Sequence, residues 1–355
     1  MKNNKIYIAS RFLTQPVTGV QRYGIELSKA IKKINGNFDL NFIAPKNILH
    51  TKIAKELEVK KIGNLKGQLW DQLSLLNFLK QKNNPLIVNF SNTLPIFYTH
   101  KIVTIHDIIN LKYDVNWKYK RYYEVIWPLM LKNSKHIITV SEFSKKEISN
   151  YFDISPNKIS VIYNGVNETF KPKKVEQKEK YILALSSIAK HKNFERLIQA
   201  FLKIDTDIKL YIVGGVDPKI FGKDTIKILN KIQKSKNIVF LGRVDDEKLI
   251  ELYSNALFFV YLSLYEGFGI PPLEAQACGC PVLLSDIPVF KEVYGNSVHY
   301  CNPIDINDIQ KQIEYLLNNE KCLDKLSNKS LENAKKYTWK KSAEKFLKIL
   351  KECNE

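Results

Sequence analysis

The sequence predicts an α/β protein of two domains, each built on a parallel sheet. The stretch 258–285 reads as strand, loop, helix and strand: an apolar run, a glycine-flanked loop, two prolines suited to a first helical turn, and a second apolar run. A βαβ unit of this kind joins parallel strands. The length of 355 residues is enough for two domains, and the polar, charged segment 169–180 has the composition of a linker between them.

The composition favours a globular intracellular protein. Hydrophobic residues make up 45% of the chain, which allows sizeable cores and argues against disorder. No apolar run reaches the ~18 residues of a transmembrane helix, and the amino terminus has no signal-peptide pattern. An odd number of cysteines with no zinc-ligand spacing indicates free thiols: Cys278, Cys280, Cys301, Cys322 and Cys353. We therefore expect a cytoplasmic protein.

The net charge of +19 indicates an anionic partner, although a generally lysine-rich proteome accounts for it equally well. Three kinds of anionic partner fit such a charge: nucleic acid, an anionic membrane surface and an anionic substrate. No nucleic-acid motif accompanies the charge. The sequence therefore favours a phosphate-bearing substrate and the surface of a membrane, with no nucleic acid.

The first half of the chain alternates strands and helices. After the first strand, the pattern predicts a loop over 11–22 and then a helix with Tyr23, Leu27 and Ile31 on one face. His106 stands at the carboxyl end of a buried strand, where ligands bind in parallel sheets; a lone histidine is also often a core residue. The predicted strands are Lys5–Ser10, Pro85–Phe90, Lys101–Ile105, Ile137–Val140 and Lys158–Tyr163.

The segment 113–132 mixes aromatic and basic residues on a predicted helix, with a break expected at Pro128. Such a helix suits the interface of a membrane, where rings lie at headgroup level and cations reach phosphates. The alternative is a surface helix that packs its aromatic residues on the sheet. Ser141 is then predicted to cap a helix over 142–152.

The second half repeats the alternation. Its predicted strands are Tyr181–Ser186, Lys209–Val213, Asn237–Leu241, Phe258–Leu262 and Pro281–Leu284. One helix is predicted to begin near Phe194, and separate helices are predicted over 286–295, over 306–318, from there to about 336, and over 340–352. Asp245 and Asp246 are expected to cap a helix. The triplet Asp205-Thr206-Asp207 spells a DxD metal signature, but it precedes a strand, so we interpret it as a turn.

The βαβ unit presents an anion site between two carboxylates. Glu266 lies on the loop and Glu274 lies one turn into the helix, whose amino terminus offers free N–H groups and partial positive charge. Carboxylates would repel a phosphate unless they face neutral hydroxyls. Hydroxyls on both sides of a diphosphate describe a nucleotide-sugar.

The strings YEGFGIPPLEAQACGCPVLLSD, TGVQRYGIEL, VTIHDII, VSEFSKKEI and VIYNGVNETF resemble the retaining glycosyltransferases of family 4. The resemblance extends from about residue 6 to residue 350. It implies the GT-B fold: two Rossmann-like parallel-sheet domains facing a cleft, with a C-terminal helix that returns to the first domain. We accordingly expect an acceptor-binding domain at 1–168, a linker at 169–180, a nucleotide-sugar-binding domain at 181–338 and the returning helix at 339–355.

The resemblance also implies roles for individual residues. His106, Glu266 and Lys192 would be catalytic, with His106 beside the transferred sugar and Lys192 on the leaving diphosphate. The family's second phosphate-binding residue is an arginine whose position falls near Ser187, so Lys190 and His191 are the nearest cations. The donor would be bound by Gly19, Arg22, Lys190, His191, Gly242, Arg243, Val244, Phe268, Gly269, Ile270 and Glu274, with Glu274 on the ribose.

The implied reaction transfers a sugar from a nucleotide-sugar to an acceptor hydroxyl with retained anomeric configuration, without a metal or other cofactor. The strings look most like bacterial mannosyltransferases and rhamnosyltransferases of O-antigen or capsule synthesis. GDP-mannose is the first donor expected, then dTDP-rhamnose or a UDP-sugar. The acceptor would be a polyprenyl-diphosphate-linked glycan at the inner membrane face, reached by peripheral binding. A nucleotide-sugar epimerase or phosphorylase of the same fold, and a non-catalytic nucleotide-sugar-binding subunit, are the alternatives.

Overall fold

The computed structural model describes residues 5–34, 38–113, 117–173, 180–185, 189–214 and 235–354. The chain divides into two units. The first comprises residues 1–165 and 338–355, and the second comprises residues 166–337. Part of the predicted linker, residues 174–179, lies outside the described residues, as does Ser187.

The first unit contains a seven-stranded sheet in the order β3-β2-β1-β4-β5-β6-β7, and every pairing is parallel. Its strands are β1 Ile6–Ala9, β2 Leu40–Ala44, β3 Lys60–Lys61, β4 Leu86–Asn89, β5 Lys101–Thr104, β6 His136–Thr139 and β7 Ile159–Val161. Its helices are α1 Gly19–Ile34, α2 Thr51–Glu56, α3 Gly67–Leu69, a π-helical turn at Trp70–Leu75, α4 Leu76–Gln81, α5 Ile109–Lys112, α6 Trp117–Lys132 and α7 Glu142–Phe152. The central strands β1, β4 and β5 are buried at every residue, as helices on both faces require.

The second unit contains a six-stranded parallel sheet in the order β10-β9-β8-β11-β12-β13. Its strands are β8 Tyr181–Leu185, β9 Lys209–Val213, β10 Ile238–Gly242, β11 Phe258–Tyr261, β12 Val282–Ser285 and β13 His299–Cys301. The helices described here are α8 Phe194–Phe201, α9 Asp246–Asn255, α10 Ile270–Ala277, α11 Pro288–Tyr294, α12 Ile306–Leu317 and α13 Glu320–Ala334. The acidic triplet 205–207 lies in the turn between α8 and β9, as interpreted from the sequence.

The last helix, α14 at Trp339–Asn354, packs on α1 in the first unit. Trp339 lies edge-on against Tyr23 of α1, with ring centroids 5.8 Å apart. Phe346 makes the same kind of contact with Phe90, at 5.4 Å. The predicted GT-B features, two parallel-sheet domains and a C-terminal helix that returns to the first, are confirmed.

Two local predictions were wrong. Helix α1 begins at Gly19 rather than near Tyr23, because the Gln21 side chain accepts from the Thr18 N–H at 3.1 Å and caps an earlier turn. Helix α6 also continues through Pro128 instead of breaking there. Trp127, Met130 and Leu131 are all fully buried around the proline, and their packing offsets the one lost backbone hydrogen bond.

Helix α6 presents different residues to the core and to the solvent. Trp127 packs in the core against Phe152, with ring centroids 6.2 Å apart. The side chains of Trp117, Val125 and Leu129 are exposed instead. Among the helices described, none has an apolar stretch long enough to pass through a bilayer.

Candidate active site

The candidate site in the second unit lies where the strand order of its sheet reverses. From β8 the chain proceeds outwards to β9 and β10, then crosses back to β11 on the other side. A crevice forms outside the carboxyl ends of two strands that diverge in this way, and ligands of open α/β sheets bind in it. A 3-10 turn at Lys190–Lys192 follows β8, and Glu266 follows β11. Both predicted catalytic residues of this unit therefore lie at its topological switch point.

Lys192, Glu266 and Tyr261 form one hydrogen-bonded cluster. The Lys192 Nζ lies 2.5 Å from Glu266 Oε1 and donates to the Tyr261 hydroxyl at 2.9 Å. That hydroxyl in turn donates to Glu266 Oε1 at 2.8 Å. The side chains of Lys192 and Glu266 are only 15% and 13% exposed. Both donors use Oε1, and a carboxylate oxygen has two lone pairs, so Oε2 keeps acceptor capacity for a ligand besides the Ser263 side chain that also bonds this carboxylate.

The cluster holds both charges. Burial raises the pKa of Glu266, but the Lys192 charge and the hydrogen bonds to Oε1 outweigh it and leave the pKa below its usual value. Burial likewise lowers the pKa of Lys192, and the Glu266 carboxylate with Tyr261 reverses this and raises the pKa. The site therefore presents an ammonium and a carboxylate at neutral pH.

The turn that carries Lys192 is fixed at both ends. The Leu264 N–H, from the loop after β11, donates to the His191 carbonyl at 2.7 Å. Asn193 then adopts a left-handed conformation with φ of 60°, and its buried amide donates to the Pro303 carbonyl at 2.6 Å. Lys190 is exposed at the start of this turn. Burial and the Lys192 charge lower the pKa of His191 to about 4, so His191 is neutral at pH 7.

Helix α10 directs its amino terminus towards the same edge of the sheet. Gly269 precedes the helix with φ of 93°, and a Cβ there would lie 2.8 Å from a ring carbon of Phe290. The Tyr294 hydroxyl donates to the Gly269 carbonyl and holds this peptide. Pro271 is in the first turn, where its missing N–H has no intrahelical partner to lose. The helix start thus presents an anion site at the Gly269–Ile270 peptide.

The other predicted donor-binding residues of this unit are placed as follows. Glu274 is 5% exposed on the first turns of α10. The Phe268 ring is buried against Tyr337, so Phe268 offers its backbone rather than its ring. Gly242, Arg243 and Val244 follow the edge strand β10, where the Gly242 carbonyl accepts from the Gly214 N–H at 2.9 Å.

His106 in the first unit follows β5 and is 7% exposed. Its Nε2 lies 3.0 Å from the Phe90 carbonyl, which can only accept, so Nε2 carries the proton. Burial lowers the pKa of His106 to about 4, although the Phe90 contact opposes the shift. The ring is neutral at pH 7, and its unprotonated Nδ1, which has no hydrogen bond within the described residues, is a hydrogen-bond acceptor.

Gly19 and Arg22 lie in the first turn of α1, following the 3-10 turn Arg11–Thr14 after β1. Gly19 is exposed and Arg22 is half-buried. Because α1 begins earlier than predicted, both residues belong to a helix amino terminus instead of a loop, the setting in which backbone N–H groups meet anions.

Tyr261 is the site residue that the sequence reading missed. The predicted strand Phe258–Leu262 places it inside a buried strand, whereas in the structure it is the last residue of β11 and reaches the switch point. A polar aromatic residue at the carboxyl end of a strand beside the first strand of the sheet is the signal that identifies it.

Two protein-family models match the chain. The model described as glycosyl transferases group 1 matches residues 166–337, and the one described as glycosyltransferase family 4 matches residues 17–170. The chain is 35% identical over 243 residues to the O-antigen chain mannosyltransferase RfbU of Salmonella typhimurium, covering 68% of this chain and 67% of that protein. It is 27% identical over 379 residues to O-antigen chain mannosyltransferase B of Escherichia coli, covering 94% and 96%.

Solved structures share the fold at lower identity. Sucrose-phosphate synthase from Thermosynechococcus elongatus superposes with a TM-score of 0.77 at 18% identity, covering 98% of each chain. HepE of Anabaena, crystallised with UDP and glucose, superposes with a TM-score of 0.76 at 15% identity, covering 98% of this chain and all of that one. At these identities the likeness concerns the fold alone.

Proposed function

The chain belongs to the group 1 glycosyltransferases of family 4, and on that premise we propose that it transfers a hexose, with retained configuration, from a nucleotide-sugar to a lipid-linked glycan. The observation that carries the proposal is the Lys192–Glu266–Tyr261 cluster at the switch point of the second unit. It presents a cation, a carboxylate and a helix amino terminus on one sheet edge. These are the groups that a diphosphate bonded to a sugar requires.

The leaving diphosphate is assigned to Lys192 and to the amino terminus of α10. Negative charge grows on the phosphate oxygen as the glycosidic bond breaks, and a preorganised ammonium stabilises that charge more than it stabilises the ground state. His191 beside it is neutral, so it contributes a hydrogen bond rather than a second charge. In this arrangement the protein's own groups supply the positive charge that a metal ion supplies in other transferases.

The hydroxyl groups of the transferred sugar and of the ribose are assigned to hydrogen-bond acceptors of the protein. Glu266 Oε2 accepts from a hydroxyl of the transferred sugar. His106 of the first unit is neutral, and its Nδ1 is suited to accept from a sugar hydroxyl. Glu274 accepts from the ribose hydroxyls of the donor. An ionised carboxylate accepts hydroxyl protons well, so neither glutamate needs to act as an acid or a base.

Retention is proposed to proceed on one face of the sugar. The bond between the anomeric carbon and the donor phosphate oxygen breaks as the acceptor oxygen bonds to the same carbon from the same side. The acceptor proton passes to an oxygen of the departing phosphate, which leaves as nucleoside diphosphate. This route needs no enzyme nucleophile.

A mannosyl donor, GDP-mannose, is the first proposal because the two relatives described above are named mannosyltransferases. A dTDP-rhamnose or UDP-sugar donor is the second proposal, and the crystallisation of HepE, a protein of the same fold, with UDP and glucose supports the UDP-sugar. The acceptor is proposed to be a polyprenyl-diphosphate-linked glycan of surface polysaccharide synthesis.

Helix α6 is proposed to hold the protein on the anionic inner face of the membrane. Trp117 is 69% exposed, Val125 60% and Leu129 42%, and their four-residue spacing places them on one face together with the exposed Arg121. Apolar side chains and cations on one face match the headgroup level of a bilayer. The fraction of protein that sediments with vesicles containing about 30% anionic lipid should be several-fold lower for Trp117→Ala/Leu129→Ala than for wild type. Vesicles of neutral lipid should bind neither wild type nor the variant.

The function is tested by a thermal-shift panel of GDP-, UDP- and dTDP-sugars followed by measurement of nucleoside diphosphate release. A ligand that binds only the folded state raises the melting temperature. We expect one nucleotide class to stabilise the protein, and its release to accelerate on addition of a lipid-linked glycan. A panel with no stabilising nucleotide-sugar contradicts the proposal. Stabilisation without release in any acceptor's presence favours a non-catalytic binding subunit.

A further inference from the structure

The first unit has its own topological switch point, and a second ion pair lies there. Its strand order reverses between β1 and β4, which are paired neighbours. Arg11 comes just after β1, and Thr93 comes shortly after β4. The roles assigned above use neither residue, although the crevice between such strands is where open α/β sheets bind ligands.

Arg11, Asp71 and Thr93 form a closed cluster. The Arg11 Nε lies 3.1 Å from Asp71 Oδ2, and Arg11 Nη2 donates to the Thr93 hydroxyl at 2.5 Å. The Thr93 hydroxyl donates to Asp71 Oδ2 at 2.8 Å. Asp71 is 1% exposed, whereas the Arg11 side chain is 12% exposed. The arginine is therefore the member of the cluster that a ligand reaches.

The π-helical turn Trp70–Leu75 positions this cluster. Trp70 donates to the Ile62 carbonyl at 2.8 Å, which anchors the turn. Gln72 donates to the Leu94 carbonyl at 3.1 Å and accepts from the Ile96 N–H at 2.9 Å, which fixes the loop that carries Thr93. Asp71 lies between these two anchors. π-Helical turns are rare and often occur at functional sites.

Packing alone does not account for the cluster. A buried ion pair adds little net stability, because desolvation offsets the attraction. Here Asp71 Oδ1 is also buried with no hydrogen-bond partner in the described part of the chain, which is a further cost. The Arg11 side chain, by contrast, is 12% exposed, and its Nη1 makes no hydrogen bond within the residues described. An arginine held by two partners with its outer nitrogen free is preorganised to donate.

The charge of the cluster determines which ligand chemistry it suits. Asp71 neutralises Arg11, so the free nitrogen is a directional donor with little net attraction for an anion, and the adjacent carboxylate repels a phosphate. The Tyr122 phenol from α6 lies close enough for burial and the Asp71 charge to raise its pKa to about 12. A neutral polyhydroxylated ring fits a donor beside a half-buried tyrosine.

We propose that the cluster formed by Arg11, Asp71 and Thr93 is the subsite for the terminal sugar of the acceptor, with Arg11 Nη1 donating to a hydroxyl oxygen of that sugar. This inference rests on the proposed function. Arg11 is the binding residue, and Asp71 and Thr93 are positioning residues that act through it.

The test uses Arg11→Met, with soluble octyl glycosides of neutral hexoses as acceptor probes and the donor that the thermal-shift panel selects. We expect kcat/KM for the glycoside to fall about 10- to 100-fold, mostly through KM, which is the loss of one hydrogen bond from a charged donor. Donor affinity and the slow hydrolysis of donor without acceptor should stay within about twofold of wild type, since neither uses this subsite. Lys146→Met, which removes an exposed cation of α7, is the matched control and should match wild type in every readout.

Two further variants keep the test decisive. Arg11→Lys keeps the charge but lacks the forked donor, so it should fold and still raise KM for the glycoside. Asp71→Asn should raise KM with unchanged donor hydrolysis, because it loosens Arg11. An unchanged KM in folded Arg11→Lys and Arg11→Met overturns the inference, as does an equal loss of donor hydrolysis.

Inorganic phosphate separates a sugar subsite from an anion subsite. Phosphate that competes with the glycoside in wild type but not in Arg11→Lys would overturn the assignment to a neutral sugar. Failure of the proposed function has a different signature, in which wild type itself neither binds a nucleotide-sugar nor transfers from one.

Discussion

Replacing Lys192 by Met should destabilise the protein and abolish most turnover, and a second substitution should separate the two effects. Lys192→Met leaves Glu266 as an uncompensated carboxylate whose side chain is 13% exposed. Glu266→Gln removes that charge while keeping the side-chain shape. The double variant therefore has neither charge, so it should regain stability without regaining a contact for the diphosphate.

The magnitudes follow from the burial of the pair. Removing one partner of a buried pair costs about 3–5 kcal/mol, and the partial exposure of these side chains reduces this to about 2–3 kcal/mol for Lys192→Met. The double variant should lie within about 1 kcal/mol of wild type. Without Lys192, burial raises the pKa of Glu266 and only the hydrogen bonds from Tyr261 and Ser263 oppose it. The loss of unfolding free energy should therefore be largest at pH 8 and shrink towards pH 5, where the carboxyl protonates.

Urea denaturation measures the stabilities, and release of nucleoside diphosphate measures turnover. We expect turnover to fall about 10- to 150-fold in Lys192→Met through the lost charged hydrogen bond, and to stay low in the double variant. A double variant that is both stable and active would refute a role for Lys192 on the leaving group. A Lys192→Met protein as stable as wild type would refute a buried ion pair between Lys192 and Glu266.

Three further outcomes test other parts of the site. Glu274→Gln should raise the dissociation constant of the donor about tenfold or more with little change in melting temperature, since an ionised acceptor of the ribose hydroxyls is lost; calorimetry showing unchanged affinity would remove the ribose assignment. Gly269→Ala should lower stability by about 2 kcal/mol or more, because φ of 93° strains any other residue and the new Cβ lies 2.8 Å from Phe290; thermal melts equal to wild type would contradict this. His106 has a folded-state pKa of about 4, below its unfolded value. Its contribution to the free energy of unfolding is therefore fully present above about pH 6.5 and is lost as the pH falls towards 4. Wild type should therefore lose about 2 kcal/mol more than His106→Asn between pH 7 and pH 5, and equal pH slopes in urea denaturation would exclude a buried neutral His106.

Ten of the thirteen strands described could be predicted from the sequence, because buried strands are short, apolar and bounded by glycine or polar residues. Strands β2, β3 and β13 were not predicted. The capping residues Ser141 and Asp245 were also identifiable, and each side chain accepts from a backbone N–H three residues on. The family-like motifs and the ends of the predicted strands were enough to place Glu266 and Lys192 on loops. The contact between the two side chains is seen only in the structure.

The features that were missed depend on packing or on unusual backbone geometry. The segment 51–84 divides into α2, β3, α3, the π-helical turn at Trp70–Leu75 and α4, so no single period of 3.6 runs through its apolar positions. Continuation of α6 through Pro128 rests on the burial of Trp127 and Leu131, which no local rule contains. The start of α1 at Gly19, by contrast, was available from the Thr18 to Gln21 spacing, which follows the capping-box pattern.

The central claim is that the ammonium of Lys192 binds the terminal phosphate of a nucleoside diphosphate leaving group. Calorimetric titration of the matching nucleoside diphosphate and monophosphate into wild type and Lys192→Met/Glu266→Gln tests it most directly, because we expect the double variant to be nearly as stable as wild type. We predict that the dissociation constant of the nucleoside diphosphate is about 10- to 150-fold higher for the variant than for wild type, and that the dissociation constant of the monophosphate is nearly unchanged. An equal effect on both nucleotides, or no effect on either, would contradict the claim.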